Sequence, residues 1–352
     1  MYDALILGGG PAGLSAAIYL GRFTRRVLVL DAGEGRSSFA QVNDNYLGFP
    51  EGITTRDLRA LGRKQAERFG VEFQECRVER IERLADGGFR VFTTGGDFDG
   101  RTLLFATGVK DIWPDVPGVH DWIGRQLFWC ITCDGHRTVG KHLVCIGNTD
   151  EAATTTLQFL LFTRNVILVA DPDKVRFSPL KLADLAAQGI RIVHARPTHF
   201  ELSPDGREIQ AVCLDDGSRL PCQMIFSLLG VRPNTQLARE LGVSLDSDGY
   251  IEMDEEGYTS IPGVFAAGDL TRMYTQQVAS AVHAGAEAAQ TMNYYLYAPF
   301  QRNTEDEAAA VAGGEAAAAA RAPRVPGLAA AAAAAGDAPD PWAEFKSQGR
   351  AA

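Results

Sequence analysis

Residues 3–13 decide the fold of this chain, and they read Asp-Ala-Leu-Ile-Leu-Gly-Gly-Gly-Pro-Ala-Gly. The apolar start of this stretch predicts a buried strand over residues 2–7, and the residues after the glycines predict a helix over 14–20. A second apolar run predicts a strand over residues 27–30 that ends at Asp31. Strand, glycines, helix, strand and acid in this order are typical of a βαβ unit that binds a dinucleotide.

The three spaced glycines of this stretch each have a physical role. Gly8 permits the tight turn, Gly10 lets a pyrophosphate approach the backbone, and Gly13 lets helix and strand pack closely. The N-terminus of the helix offers N–H groups and a positive dipole end to the phosphates. The carboxylate of Asp31 is placed to accept a hydrogen bond from a ribose hydroxyl. The alternative is a Gly-rich strand–helix turn that binds no ligand.

Further along the chain, the pattern of strands and helices indicates two α/β units. An apolar strand over residues 102–106 leads into Thr107 and Gly108, and a later strand over 263–267 ends in Gly268 and Asp269. A long Ala-rich helix, at about residues 277–296, follows. The chain between them carries predicted strands at 143–146, 166–169 and 224–229 and a helix at 151–162. We therefore predict an α/β fold in which one domain is inserted within another.

Composition and charge exclude several classes of function. The chain has 352 residues and a net charge of −10, which argues against nucleic-acid binding because that requires clustered Lys and Arg. It contains no apolar run of the ~18–20 residues that cross a bilayer. The N-terminus starts directly with a strand pattern and has no basic region typical of a secretory signal. We expect a cytoplasmic protein without nucleic-acid or membrane partners.

The second informative stretch is Cys130-Ile-Thr-Cys133-Asp134-Gly135. Two thiols at this spacing suit disulfide exchange, and a carboxyl group beside them can protonate a leaving thiolate. A C-x-x-C pair can also bind zinc, but the chain has six cysteines and no second pair at ligand spacing, so we predict no metal. Partial desolvation would raise the pKa of Asp134 and suit it to proton transfer. The alternative is an aspartate that only caps an Asp-Gly turn.

Taken together, these motifs resemble the low-molecular-weight thioredoxin reductase family over about residues 1–300. The shared segments lie at residues 8–13, 43–50, 106–108, 130–135, 230–234, 267–269 and 277–279. The resemblance implies two Rossmann-like, three-layer ββα dinucleotide-binding domains, one inserted in the other, and a homodimer. Residues 1–111 and 246–300 would form the discontinuous FAD-binding domain, and residues 112–245 an NADPH-domain-like redox domain with the CxxC. Residues 301–352 would be an Ala-rich low-complexity tail.

The resemblance also implies roles for individual residues. Cys133 would face the flavin, Cys130 would exchange with the substrate, and Asp134 would donate and accept the proton. Asp269 would hold the ribityl or phosphate part of FAD, and Asn45 would lie near the flavin. The expected cofactor-binding residues are Gly8, Gly10, Pro11, Ala12, Gly13, Asp31, Asn45, Ala106, Thr107, Gly108, Gly268, Asp269, Gln277 and Val278.

The second nucleotide site departs from the family pattern. In the expected G-x-G-x-x-A run, the middle glycine is Thr149, and Asp150 adds negative charge at the helix start. Where the family has a His-Arg-Arg run, this chain has Asp171 and Asp173, which would repel a 2′-phosphate. We therefore expect the loss of ordinary NADPH use. The alternative is that NADH binds through Asp171.

The sequence predicts an FAD-dependent disulfide/dithiol oxidoreductase that resembles thioredoxin reductase and does not use NADPH. Electrons would come through a second flavin, giving a second FAD per chain, or from ferredoxin. The partner would be a thioredoxin-like protein or a small disulfide. The alternatives are an NAD(P)H-dependent thioredoxin reductase, an oxygen-dependent dithiol oxidase and a non-enzymatic flavin-binding interaction protein.

Two further features allow two interpretations each. The aromatic residues at 342–345 could belong to a tail without contacts, which we favour, or to a short docking segment that stacks on an exposed ring. His283 could pack on a helix face, which we favour, or serve as a proton relay or flavin contact.

Overall fold

The computed structural model describes residues 1–39, 41–254, 256–273, 275–298 and 301. The predicted tail, including its aromatic residues at 342–345, lies outside the described residues apart from Gln301. Residues Met1–Asn293 form one compact unit. Of the second unit, which begins at Tyr294, the structure describes the end of the last helix and the few residues after it.

The strands are β1 (Tyr2–Leu7), β2 (Val27–Asp31), β3 (Val42–Asn43), β4 (Ile53–Thr54), β5 (Glu72–Glu75), β6 (Val78–Arg83), β7 (Phe89–Thr93), β8 (Gly96–Phe105), β9 (Val109–Asp111), β10 (Leu127–Phe128), β11 (Leu143–Ile146), β12 (Val166–Ala170), β13 (Arg191–His194), β14 (Pro197–Leu202), β15 (Ile209–Leu214), β16 (Arg219–Pro221), β17 (Met224–Ser227), β18 (Val231–Pro233) and β19 (Val264–Ala266). The α-helices are α1 (Pro11–Arg22), α2 (Thr55–Glu67), α3 (Ile131–Asp134), α4 (Asp150–Gln158), α5 (Pro179–Ala187), α6 (Gln236–Leu241) and α7 (Val278–Tyr295).

The first sheet is built around β1, which lies between two parallel neighbours. Its strand order is β5-β2-β1-β8-β7-β6, and β19 pairs with the end of β8. Ala4 is in register with Val27 on β2 and with Thr102 on β8. Residues 4–7 are all buried, as expected for a parallel strand that is covered on both faces. The continuous apolar run in the sequence therefore reflects burial on both sides of this sheet.

The second sheet is parallel throughout, with the order β10-β17-β11-β12-β13. A separate antiparallel sheet, β14-β15-β16, follows in the same part of the chain. The chain then returns to the first sheet, where Val264 of β19 is in register with Leu103 of β8. The second sheet is thus inserted within the first α/β unit, and the predicted fold class is confirmed.

The chain passes between the two sheets along β9 and β18, which form a two-stranded antiparallel ribbon. After β18, Ala238 of helix α6 and Val243 pack into the core of the first sheet. The return crossing therefore lies at Val231–Pro233, before the predicted boundary at 245/246. The division into an FAD-binding and a redox domain stays a prediction.

Most predicted elements agree with the structure within a few residues. The predicted helix over 151–162 is shorter, because α4 ends at Gln158 and continues as a 3-10 turn over Phe159–Leu161. The predicted strand over 102–106 is only the end of β8, whose first half forms a hairpin with β7. Within the described part of the chain, no helix has the length and apolar character that a membrane span requires.

Candidate active site

A large cavity of about 1360 Å³ opens where β1 meets the start of α1. Every predicted cofactor-binding residue except Gly13 lines this cavity. Gly13 lies behind it, where an added Cβ would come within 2.0 Å of the carbonyl oxygen of Gly8. Its role is therefore the close packing of α1 on β1.

The glycine turn at the entrance to α1 has the geometry that a phosphate-binding loop requires. Gly8 has a φ of +112°, and an added Cβ there would lie 2.4 Å from the backbone oxygen of Ala106. Gly10 precedes the first residue of α1, and the nearest atom to an added Cβ is the Oγ of Ser37 at 3.9 Å. Because α1 has no side-chain cap at this end, its N–H groups remain available to an anion in the cavity.

The two cysteines of the redox segment form a disulfide, Cys130–Cys133. Cys130 precedes the short helix α3, and its Sγ accepts a hydrogen bond of 3.1 Å from the backbone N–H of Cys133. Both residues are half-buried. Cys133 lines the large cavity, whereas Cys130 does not. The structure thus distinguishes the two sulfurs by the side of the loop on which they lie.

The side chain of Gln277 contacts both sulfurs of this disulfide. Its Oε1 lies 3.5 Å from the Sγ of Cys133, and its Nε2 donates to the Sγ of Cys130 at 3.5 Å. Asn45 fixes this amide, because its Nδ2 donates to the Oε1 of Gln277 at 2.9 Å. Two polar residues that are far apart in sequence therefore place an amide against the redox centre.

Asp134 is fully buried beside the disulfide. Its Oδ2 accepts a hydrogen bond of 2.7 Å from the Nε2 of Gln41. The Nε of Arg137 lies 3.1 Å from its Oδ1, in an ion pair that lacks hydrogen-bond geometry. Burial raises the pKa of Asp134 to about 6, although Arg137 and Gln41 act in the opposite direction. Asp134 makes no side-chain cap to the following 3-10 turn, so it is not held there as a turn residue.

Comparisons with known proteins agree with this arrangement. Residues 2–288 match the pyridine nucleotide-disulphide oxidoreductase family. The chain belongs to this family. The thioredoxin reductase of Treponema pallidum is 31% identical over 302 residues, which are 84% of this chain and 97% of that protein. The thioredoxin reductase of Listeria innocua is 30% identical over 306 residues, which are 84% of this chain and 94% of that protein.

Two solved structures have a similar fold. The thioredoxin reductase of Streptococcus pyogenes has a TM-score of 0.77 at 28% identity, covering 84% of this chain and 98% of that one. The structure of HlmI has a TM-score of 0.76 at 28% identity, covering 91% of this chain and 97% of that one. This pyridine nucleotide-disulphide oxidoreductase is therefore a thioredoxin-reductase-like, flavin-dependent enzyme.

The cavity of this oxidoreductase fits FAD in its size and in one unsatisfied polar atom. The Oδ1 of Asp269 is buried and has no hydrogen-bond partner among the described residues, while its Oδ2 accepts from the Nη1 of Arg36 at 2.9 Å. Burial raises the pKa of Asp269, and Arg36 opposes this shift. A buried acceptor without a donor costs about 1–3 kcal/mol, which a ligand hydroxyl would recover. The glycine turn and Asp269 thus line one cavity, and Gly268, the neighbour of Asp269, packs against Ala12 at the start of α1.

Arg36 is a site residue that the sequence did not reveal. Its guanidinium forms a two-pronged pair with Asp111, with distances of 2.9 and 2.6 Å, and also bonds Asp269. An arginine in a loop rich in Gly and Ser gives no signal of this role. The sequence also contains no signal that Gln41, which follows in the same loop, would contact Asp134. Asp31 was predicted, but its pairing with Arg59 of α2 was not.

At the expected second nucleotide site, the polar side chains form hydrogen bonds and ion pairs with one another and with the backbone. Thr149 caps α4, and its Oγ1 accepts from the N–H of Ala152 at 3.4 Å. Asp171 accepts a hydrogen bond of 3.0 Å from the Nε of Arg196, and Arg196 also pairs with Asp173. The sequence predicted the two aspartates but missed Arg196, which lies outside the expected motif.

His283 lies on an exposed face of α7 in this oxidoreductase. Its side chain is 70% exposed, and its Nε2 is 3.1 Å from a carboxylate oxygen of Glu287, one turn further along. It does not line the large cavity. The packed helix-face role and the relay role both stay predictions. Among the residues described, no group of three or more His, Cys, Asp or Glu side chains could hold a metal ion.

Proposed function

We propose that this oxidoreductase moves electron pairs between FAD and the disulfide of a thioredoxin-like protein or small molecule, without ordinary use of NADPH. The observation that carries the proposal is the position of Cys133, which lines the same cavity as the glycine turn and Asp269. Bound FAD would supply the transfer of an electron pair to or from the Cys130–Cys133 disulfide.

Different residues of the chain would bind different parts of the cofactor. Gly10 and the N-terminus of α1 would bind the pyrophosphate, because they line the cavity and α1 has no side-chain cap there, whereas Gly8 shapes the turn and donates its N–H to the carbonyl oxygen of Leu30. Asp269 would accept a hydrogen bond from a ligand hydroxyl at its Oδ1, which has no partner among the described residues. Gln277 would keep its amide against the two sulfurs, since Asn45 holds its Oε1 by a hydrogen bond.

The order of the thiol steps follows from the positions of the two sulfurs, because Cys133 lines the large cavity and Cys130 does not. With the pair reduced, the thiolate of Cys130 attacks a sulfur of the partner disulfide, and the first partner thiolate leaves. The thiolate of Cys133 attacks the Sγ of Cys130, so the second partner thiolate leaves and the enzyme disulfide reforms. Asp134 gives a proton to a leaving thiolate, which its pKa of about 6 allows near neutral pH.

The acidic second site supports the proposal that NADPH is not the usual electron donor. Hydrogen bonds from Ser178 lower the pKa of Asp150. Burial raises the pKa of Asp171, but the backbone N–H of Asp173 and the cations Lys174 and Arg196 outweigh it and lower this pKa, so both carboxylates are negatively charged. Thr149 already uses an N–H at the start of α4 that a phosphate would need. A second flavin or a ferredoxin would supply the electrons instead. The homodimer and the cytoplasmic location inferred from the sequence stay predictions.

Two measurements test this proposal. The purified protein is titrated anaerobically with NADPH and then with dithionite while the flavin absorbance is followed. We expect bleaching by dithionite and none by NADPH, and HPLC of the released cofactor should give one or two flavins per chain. Complete bleaching by NADPH at micromolar concentration would overturn the donor part of the proposal, and a protein without flavin would overturn all of it.

One observation favours a second candidate, an NADPH-dependent thioredoxin reductase. The relatives from Treponema pallidum and Listeria innocua are both named thioredoxin reductase, and the chain covers nearly their whole length. The same titration separates the candidates, because this one requires bleaching by NADPH. Peroxide formation with a small dithiol would instead select an oxygen-dependent dithiol oxidase.

A further inference from the structure

A second cavity, of about 590 Å³, lies at the amino end of the second sheet. It is bounded by Gln126 before β10, Lys141 before β11 and Gln223 before β17. The second nucleotide site lies at the other end of these strands, after β11 and β12. The two sites therefore do not overlap. We call this second cavity the cationic cavity.

The charge of this cavity is opposite to that of the whole protein. Its lining includes the cations Arg125, Arg137, Lys141 and Arg207 and a single carboxylate, Glu208. The chain as a whole carries a net charge of −10. Arg137 already pairs with Asp44 and Asp134, and Arg207 lies 4.0 Å from Asp205, so the uncompensated positive charge of this open cavity comes from Arg125 and Lys141.

Two of these cations have no carboxylate partner. Over the residues that the structure describes, Arg125 forms no ion pair, and its guanidinium lies over the ring of Trp122 at 5.1 Å. The ammonium of Lys141 contacts only the sulfur of Met224 at 3.7 Å within that same described part. Such groups can accept an anion without first breaking a salt bridge.

The floor of the cavity is rigid and apolar. Phe128, Ile209 and Met224 line it, and each is at most 4% exposed. Gln126 holds one wall, because its Nε2 donates to the carbonyl oxygens of Ile209 and Gln223 at 3.2 and 3.0 Å. The volume is within the ~300–1,000 Å³ typical of small-molecule sites. Because these apolar side chains expose so little surface, contact with a ligand would come from the cationic groups at the rim.

We propose that the cationic cavity binds a small polyanion, a ligand with two or more carboxylate or phosphate groups. The guanidinium groups of Arg125 and Arg207 bind the anionic groups at the rim, and Lys141 adds a third positive charge. Arg137 also pairs with Asp134, so the ligand would be one side chain away from the buried acid of the redox segment.

Isothermal titration calorimetry of the full-length flavoprotein tests this proposal, because it measures binding and not turnover. The probes are benzene-1,3,5-tricarboxylate, inorganic pyrophosphate and neutral benzamide. We expect the tricarboxylate and pyrophosphate each to bind one per chain and neutral benzamide not to bind. Binding should weaken as the salt concentration increases, because the rim is exposed.

Single substitutions test whether the ligand binds in the cationic cavity. Arg125→Ala and Arg207→Ala should each weaken binding of the tricarboxylate by about tenfold, the effect of losing one charge-assisted contact. Arg68→Ala is the matched control, because Arg68 also lies over an aromatic ring, that of Phe69 at 5.8 Å, but does not line the cavity. No binding at about 1 mM ligand, or equal affinity in all three variants, overturns the proposal. Benzamide binding as tightly as the tricarboxylate overturns the role of the cationic groups.

Discussion

The Nε2 of Gln41 donates a hydrogen bond of 2.7 Å to the Oδ2 of Asp134 across 93 residues of sequence. Gln41 lies in the loop after β2, and Asp134 ends the redox helix α3 that leads into the second sheet. Both side chains are buried. This hydrogen bond therefore fixes the redox segment against the part of the chain that forms the large cavity. It also makes Gln41 a residue that controls the proton affinity of Asp134.

Loss of this hydrogen bond should change the pH dependence of disulfide exchange. Gln41 lowers the pKa of Asp134, so Gln41→Ala should raise it above about 6. A charge-stabilising hydrogen bond is worth about one pKa unit, so we expect the alkaline limb of the rate to move up by about that amount. The measurement is the rate at which the reduced enzyme reacts with hydroxyethyl disulfide across pH. Gln290→Ala, on an exposed face of α7, is the control, and an unmoved limb in Gln41→Ala would contradict the assignment.

Asp134 should also contribute to the pH dependence of stability. Its pKa of about 6 is above the ordinary value, so the folded protein holds this proton more tightly than the unfolded chain does. The stabilisation is present at low pH and is lost as the pH rises through about 6. Between about pH 4 and 7 this group should lower the free energy of unfolding by about 2 kcal/mol, and Asp134→Asn should lack that decrease. Urea unfolding of both proteins at several pH values measures this difference. If the free energy of unfolding changed with pH in the same way in both proteins, the raised pKa of Asp134 would be contradicted.

The two cysteines should behave differently when each is removed. Cys133→Ser keeps the attacking thiol but not the resolving one, so it should form a stable mixed disulfide with an oxidised thioredoxin-like partner. Cys130→Ser keeps only the thiol that lines the cavity and should react much more slowly. Mass spectrometry of the adducts measures this, in a Cys213→Ser background because Cys213 is also partly exposed. Equal adduct formation in both variants would show that the assigned roles are wrong.

Arg36 should be important for stability because it joins the buried carboxylate of Asp111 and the half-buried carboxylate of Asp269. Arg36→Ala leaves Asp111 and Asp269 without their cation, and breaking a buried pair costs about 3–5 kcal/mol. Arg90→Ala removes a similar two-pronged pair with Asp99, but that arginine is exposed, so its loss should matter far less. Denaturant unfolding compares the two variants. Similar losses would mean that the Arg36 pairs are worth no more than surface pairs.

Asp269 should determine how much cofactor the protein retains. Asp269→Ala removes the unsatisfied buried acceptor that a ligand hydroxyl would use, so we expect a lower ratio of flavin absorbance to protein after purification. Loss of such a hydrogen bond corresponds to about a tenfold or greater loss of affinity. Asp205→Ala, in the exposed hairpin between β14 and β15, is the control. Full flavin content in Asp269→Ala would place the cofactor contact elsewhere.

Local sequence was enough to predict the fold class and the chemistry of the redox segment. The apolar run before Gly8 and the spacing of Gly8, Gly10 and Gly13 predict one packing of strand against helix, because added Cβ atoms at Gly8 and Gly13 would overlap backbone atoms. The pair Cys130 and Cys133 sits on one helical turn for the same local reason. The spacing of these glycines and cysteines can be read from one sequence, although the overlap at Gly8 is with the backbone of Ala106, which only the fold brings there.

The tertiary structure decided what depends on residues distant in sequence. Gln41, Arg36 and Arg196 are ordinary polar residues until folding brings each beside a carboxylate. Helix α6 is too short for its pattern to indicate which sheet it covers, and only packing places Ala238 in the first core. The pKa of Asp134 has the same origin, because burial that raises it comes from elements on both sides of the inserted unit. The sequence alone shows which ionisable groups the chain contains. Which of these groups are buried, and which side chains they contact, is decided only when the two sheets have folded together.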